Sequence, residues 1–194
     1  MRRREFIKVA AILAVTWPVA ARAQQPERMR RIDVLHSTFA DDPEGQARSA
    51  AFRQGLAQFG WTDGGNVRIE THWVTSDADI RKYTAELVAL APDVIVDTGT
   101  PTVGPLLQAT RTVPIVFVNV ADPVGAGFVD SLARPGGNAT GFINFEYGIG
   151  AKWLELLKKM VPGVTRIAVV RDPAITSGIG QFGAIQSVAI IVRC

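Results

Sequence analysis

Between Pro92 and Gly141 the chain twice repeats one pattern: a short apolar run, a polar Gly/Pro-rich corner, then a segment compatible with a helix. Val94–Asp97 runs into Thr98-Gly99-Thr100-Pro101, and Ile115–Val120 runs into Ala121-Asp122-Pro123. Continuous apolar runs of this length, bounded by turn residues, suit strands buried on both faces, as in a parallel sheet flanked by helices. Ligands of such sheets collect just beyond the carboxyl ends of the strands. The two corners therefore read as one wall of a small-molecule cleft.

The rest of the chain extends the alternation. Ile32–His36 is a first strand ending at Ser37-Thr38, and Pro43-Glu44 open a helix with Phe52, Leu56 and Phe59 on one stripe, stopped by Gly60. Asn66–Val74 alternates as a strand with Val67, Ile69, Thr71 and Trp73 on one face. Asp77 or Asp79 can cap a helix in which Ile80, Tyr83, Leu87 and Leu90 share a face, and Pro92 breaks it. A further helix starts at Thr100-Pro101-Thr102, with a capping hydroxyl and Pro in the first turn. Beyond Asp122-Pro123 a short helix over Gly127–Ala133 and a fifth strand over Thr140–Ile143 are expected. This order predicts an α/β fold with a doubly wound parallel sheet and right-handed crossovers. The pattern then restarts: a helix over Tyr147–Val161 with Trp153, Leu156, Leu157 and Met160 on one stripe, a strand over Thr165–Arg171, and another helix over Gly183–Ala189. So short a second layer cannot bury a core of its own.

The net charge of +3 is misleading. Arg2, Arg3, Arg4, Lys8 and Arg22 all precede Gln24, and the remainder is slightly acidic, which argues against nucleic acid as a partner. The basic start, the 13-residue apolar stretch Val9–Ala21, too short for a bilayer core that needs about 20 residues, and Ala21-Arg22-Ala23 read as a cleaved export signal covering residues 1–23. Arg3-Arg4-Glu5-Phe6-Ile7-Lys8 resembles the twin-arginine motif, the alternative being an ordinary signal with a basic start. Either form places the mature chain in the periplasm. The one cysteine, Cys194, excludes an intrachain disulfide and a Cys-built metal site, and His36 and His72 alone are a weak ligand set.

No catalytic motif is present: no G-x-S-x-G elbow, no phosphate-binding loop and no H-E-x-x-H helix. Asp97, Asp122 and Asp172 follow strands, where a carboxylate caps a loop or meets a ligand more readily than it catalyses. The residues indicate neither an enzyme nor a cofactor. The corner at Thr98, Gly99 and Thr100 offers hydroxyls and helix-terminal N–H groups suited to a carboxylate; the competing reading is that the hydroxyls only cap the helix. Asp122, held beside the rigid Pro123, can accept a bond from a ligand ammonium or cap the segment that follows it. Ser37 stands on the same rim, and His36 reads as a packed or edge histidine.

The leader, the His36-Ser37 pair, DTGTP at 97–101, PIVFVNVADPVGAGFV at 114–129 and SLARPGGNATGF at 131–142 together resemble the substrate-binding proteins of ABC-type transporters, in the group of tryptophan/tyrosine-type binding proteins. The resemblance runs to about residue 188. It implies a type I periplasmic binding fold, two α/β lobes closing over a small ligand, and delivery of that ligand to an ABC permease in the inner membrane. By the resemblance, Ser37, Thr98, Gly99, Thr100, Asp122 and Pro123 line the first lobe's side, residues 144–146 cross the hinge, and Asp172 lies on the second lobe's rim. Aromatic amino acids are the implied ligand class. The lobes divide as 24–143 and 144–194, the latter incomplete, since two lobes need roughly 250–300 residues. The chain thus reads as a truncated member with impaired binding, the alternatives being an exported ligand-sensing module or a non-functional gene product.

Overall fold

The computed structural model describes residues 28–173 and 175–189. The leader, its cleavage site near Ala23 and Cys194 lie outside the described residues. The elements are β1 (Arg30–His36), α1 (Pro43–Gln58), β2 (Val67–Trp73), α2 (Asp77–Ala89), β3 (Val94–Thr98), α3 (Thr100–Ala109), β4 (Ile115–Val120), β5 (Ala139–Ile143), α4 (Ile149–Met160) and α5 (Thr176–Ala189). The five strands form one parallel sheet in the order β2-β1-β3-β4-β5. The α/β class and the doubly wound parallel sheet read from the sequence are thus present.

Period-two alternation along the strands divides the core between two faces. On one, Leu35, Ile95, Phe117 and Ile115 pack with Ile80 and Leu87 of α2 and Val103 and Leu106 of α3. On the other, Ile32, Val34, Val67, Ile69 and Val96 pack under Phe52 and Leu56 of α1. The order 2-1-3 means that the chain leaves β1 toward one edge and returns through β3 toward the other. The carboxyl ends of β1 and β3 therefore diverge into opposite connections, which opens a crevice between Ser37 and Gly99.

Several expectations are corrected. The α1 stripe stops at Leu56: the helix ends at Gln58, and Phe59 is its C-terminal cap residue, 84% exposed. Leu90 likewise caps α2 and is exposed. Ser76, not Asp77 or Asp79, caps α2, its hydroxyl accepting the Asp79 N–H at 3.1 Å. No helix forms over Gly127–Ala133, where Gly127 takes a left-handed φ of +73° and the local amides bond elsewhere. Phe128 N–H donates to the Pro123 carbonyl at 2.8 Å, and Arg134 N–H to the Ser131 hydroxyl at 3.0 Å. Thr165–Arg171 is not a strand: no described strand pairs with it, and Val170 is 98% exposed. Apolar residues without a ladder partner do not make a strand. Helix α5 begins at Thr176, earlier than the expected Gly183.

Helices α4 and α5 pack on each other through glycine: a methyl on Gly150 would meet the Gln181 carbonyl at 2.8 Å. Leu154 is buried there, while Trp153, Leu156, Leu157 and Met160 are exposed.

Candidate functional site

Two short loops build the crevice. The Ser37 hydroxyl donates to the Thr98 carbonyl at 2.8 Å, fixing the end of β1 to the end of β3. Gly99 follows with φ +140°, a conformation closed to side chains, and a methyl there would also overlap the Ser37 hydroxyl. Glycine is required twice over. It is the N-cap of α3 and has no side chain to cap with, so α3 starts without a side-chain hydrogen bond. The hydroxyls expected to cap it bond elsewhere. Thr102 donates to the Gly99 carbonyl at 3.0 Å, Thr100 accepts the Ala121 N–H at 3.1 Å, and Thr98 contacts His36 Nδ1 at 2.9 Å.

Beyond these loops lies a cavity of about 660 Å³. Ser37, Thr100 and Asp172 of the expected residues line it, joined by Thr75, Asp77, Arg81, Gln108 and Phe128. The structure therefore brings the β1 corner, the start of α3 and the segment before α5 around one space. The remaining expected residues stand off it. Gly99 is the pivot behind Ser37. Thr98 lines a different cavity, on the α1 face of the sheet. Pro123 is buried and accepts the Phe128 N–H. The Asp122 carboxylate is committed to backbone: Oδ1 accepts the Gly125 N–H at 2.7 Å and Oδ2 the Tyr147 N–H at 3.0 Å.

Two buried acids show how burial and pairing divide such groups. Asp33 is fully buried but paired, with Arg31 Nε at 3.1 Å, while Arg31 Nη2 also reaches Glu70 at 2.7 Å. Asp33, Glu70 and His72 stand close enough to hold a metal ion, yet the Arg31 guanidinium already supplies the positive charge between the two carboxylates. Asp97, also fully buried, has no hydrogen-bond partner for either oxygen among the described residues; the nearby Thr102 hydroxyl donates to the Gly99 carbonyl. Burial pushes the Asp97 carboxyl up to about 8, so it is largely neutral at pH 7. It stands in the apolar core, one residue below the rim, and does not line the cavity. Burial, helped by the charge of Arg48, lowers the pKa of His36 below the ordinary histidine value.

Residues 34–189 match the family described as ABC transporter substrate binding protein. The chain belongs to that family. A tyrosine-binding protein of Clostridioides difficile (strain R20291) is 32% identical over 135 residues, 69% of this chain and 39% of that protein. A conserved domain protein of Vibrio cholerae superposes with a TM-score of 0.74 at 29% identity, over 86% of this chain and 55% of the other. The ABC domain of Streptococcus pneumoniae in complex with L-Trp gives 0.71 at 26% identity, over 84% and 54%. The fold is that of the type I periplasmic binding proteins. The chain spans about half the length of the solved structures it resembles.

Among the cavity residues that sequence reasoning missed, Thr75 was within reach, since it follows β2 as Ser37 follows β1. Arg81 lies a turn inside α2, and Phe128 arrives from an irregular loop; neither position carries a local signal.

Proposed function

We propose that this chain is the ligand-recognising part of a periplasmic receptor that hands a small solute to an ABC permease in the inner membrane. The cavity at the β1/β3 crevice carries the reading, because the strand-end rule, the polar lining and the glycine-enforced corner coincide there. The solute is an amino acid with an aromatic side chain. Its carboxylate lies against the uncapped start of α3, beside the Ser37 hydroxyl and the Arg81 guanidinium; its ammonium is drawn to Asp77 and Asp172. Phe128, Ile80 and Val74 give the ring an apolar seat. The proteins named for tyrosine and L-Trp support this ligand class by kinship.

In this reading residues 1–23 direct export and are removed, 24–143 form the first lobe, 144–146 are the hinge crossing, and 147–194 begin the second. Closure of two lobes is what sequesters ligand in receptors of this kind. Isothermal titration of the exported, purified protein with a panel of amino acids tests the reading. Saturable binding of L-tryptophan or L-tyrosine that Thr100→Val or Arg81→Ala diminishes is the expected result. Absence of saturable binding by any aromatic amino acid contradicts the ligand class, and indifference to both substitutions contradicts the site.

A further inference from the structure

Helix α3 carries two prolines, and the second interrupts its hydrogen-bond ladder. Pro101 stands in the first turn, where an N–H would have no helical acceptor in any case, but Pro105 lies inside the helix. A carbonyl in an α-helix accepts from the N–H four residues on. Pro105 has no N–H, so the Pro101 carbonyl has no helical donor. The Pro105 ring also crowds that carbonyl and turns it away from the helix axis.

The acceptor so released lies on the side of α3 that faces the crevice cavity. Pro101, Gly104, Pro105 and Gln108 fall at i, i+3, i+4 and i+7, one stripe of the helix, and all four line that cavity. Pro101, Gly104 and Pro105 are half-buried. A helical side chain leans over the turn that precedes its own Cα, so a side chain at position 104 would shade the Pro101 carbonyl, and glycine leaves it open. Phe128 approaches the same turn: a methyl on Gly104 would stand 3.6 Å from its ring. An acceptor without a donor is costly where water is restricted, and a ligand N–H relieves that cost.

We propose that Pro105 determines specificity: the Pro101 carbonyl it releases accepts one N–H of the ligand's α-ammonium, so that the crevice selects an α-amino acid over the same acid without its amino group. This assignment rests on the reading that the crevice takes an aromatic amino acid. A primary ammonium has three N–H donors. The Pro101 carbonyl, with Asp77 and Asp172 on the same cavity, gives them three acceptors, and Phe128 beside Gly104 keeps the ring seat next to the ammonium.

The probes are L-tryptophan and 3-(indol-3-yl)propanoate, which has the same ring and carboxylate and no ammonium. Calorimetric titration of the purified protein is expected to show L-tryptophan bound about tenfold more tightly or better. Pro105→Ala supplies the N–H that the Pro101 carbonyl lacks. It is expected to weaken L-tryptophan by about fivefold to tenfold and to leave the propanoate within about twofold. In the free variant the thermal midpoint is expected to be unchanged or raised, since proline is costly inside a helix, and the introduced amide to be protected from hydrogen exchange. L-tryptophan binding that Pro105→Ala leaves unchanged, an equal loss for both probes, or an introduced amide that exchanges freely overturns the assignment and leaves the crevice reading standing. Binding of neither probe by the unsubstituted protein overturns that reading, and this assignment with it.

Discussion

Asp122 and Tyr147 are joined across the exit from the sheet: the Asp122 carboxylate accepts the Tyr147 N–H at 3.0 Å, while the Asp122 N–H donates to the Phe145 carbonyl at 2.9 Å. The same carboxylate also holds Gly125 N–H at 2.7 Å. One side chain thus ties the end of β4, its glycine turn and the approach to α4. Asp122→Ala leaves both amides without their acceptor and is expected to cost about 2 kcal/mol, lowering Tm by roughly 4–8 °C in a chain of this size. Asp122→Asn, which keeps one acceptor oxygen, is expected to recover part of that loss. Thermal unfolding followed by circular dichroism checks both.

Gly99→Ala is expected to damage the crevice more than its size suggests. The φ of +140° costs any side chain about 1–3 kcal/mol, and the new methyl overlaps the Ser37 hydroxyl. Ser37→Gly in the same chain removes the overlap but not the backbone strain. The double variant is therefore expected to regain only part of the lost stability, which a double-mutant cycle by urea unfolding measures.

The Asp97 carboxyl gives the protein a pH dependence of definite sign. Its folded pKa, raised by burial to about 8, lies above the ordinary carboxyl value of 3.8, so the folded state holds a proton that the unfolded chain releases. This group's contribution is fully present below pH 3.8 and falls as the pH rises toward 8, beyond which it is flat. Urea titrations between pH 4 and 9 are expected to show this decline, and Asp97→Asn to remove most of it. A decline unchanged in Asp97→Asn assigns the effect to another group.

Arg31 is expected to be more important to stability than its partial exposure suggests, because it neutralises the fully buried Asp33 as well as Glu70. Arg31→Met strands a buried carboxylate and is expected to cost about 3 kcal/mol, while the paired change Asp33→Asn with Arg31→Met costs less. Chemical unfolding of the three variants decides it.

The exposed face of α4 predicts self-association. Trp153, Leu156 and Met160 stand out from a helix whose other side buries Gly150 and Leu154. Leu156→Glu is expected to reduce concentration-dependent light scattering without lowering Tm, since the residue is exposed.

The fold was legible because its strands are apolar runs between turn residues, a signal that does not depend on context. Elements failed where context decides. Thr165–Arg171 has the composition of a strand but no ladder partner among the described residues, and Gly127–Ala133 is compatible with a helix in composition although Gly127 is left-handed. At the site, Ser37 and Thr100 followed from strand-end position alone, whereas Asp122 had the right position but spends both oxygens on backbone. Arg81 reaches the cavity only because α2 crosses beside α3, a packing relationship that no local pattern encodes.

Amide chemical-shift mapping of an L-tryptophan titration tests the central claim most directly. The account predicts saturable shifts concentrated at Ser37, Thr75, Gly99, Thr100, Gly104 and Asp172. Saturable shifts confined to other parts of the chain, or none at these residues up to the solubility limit of the ligand, contradict it.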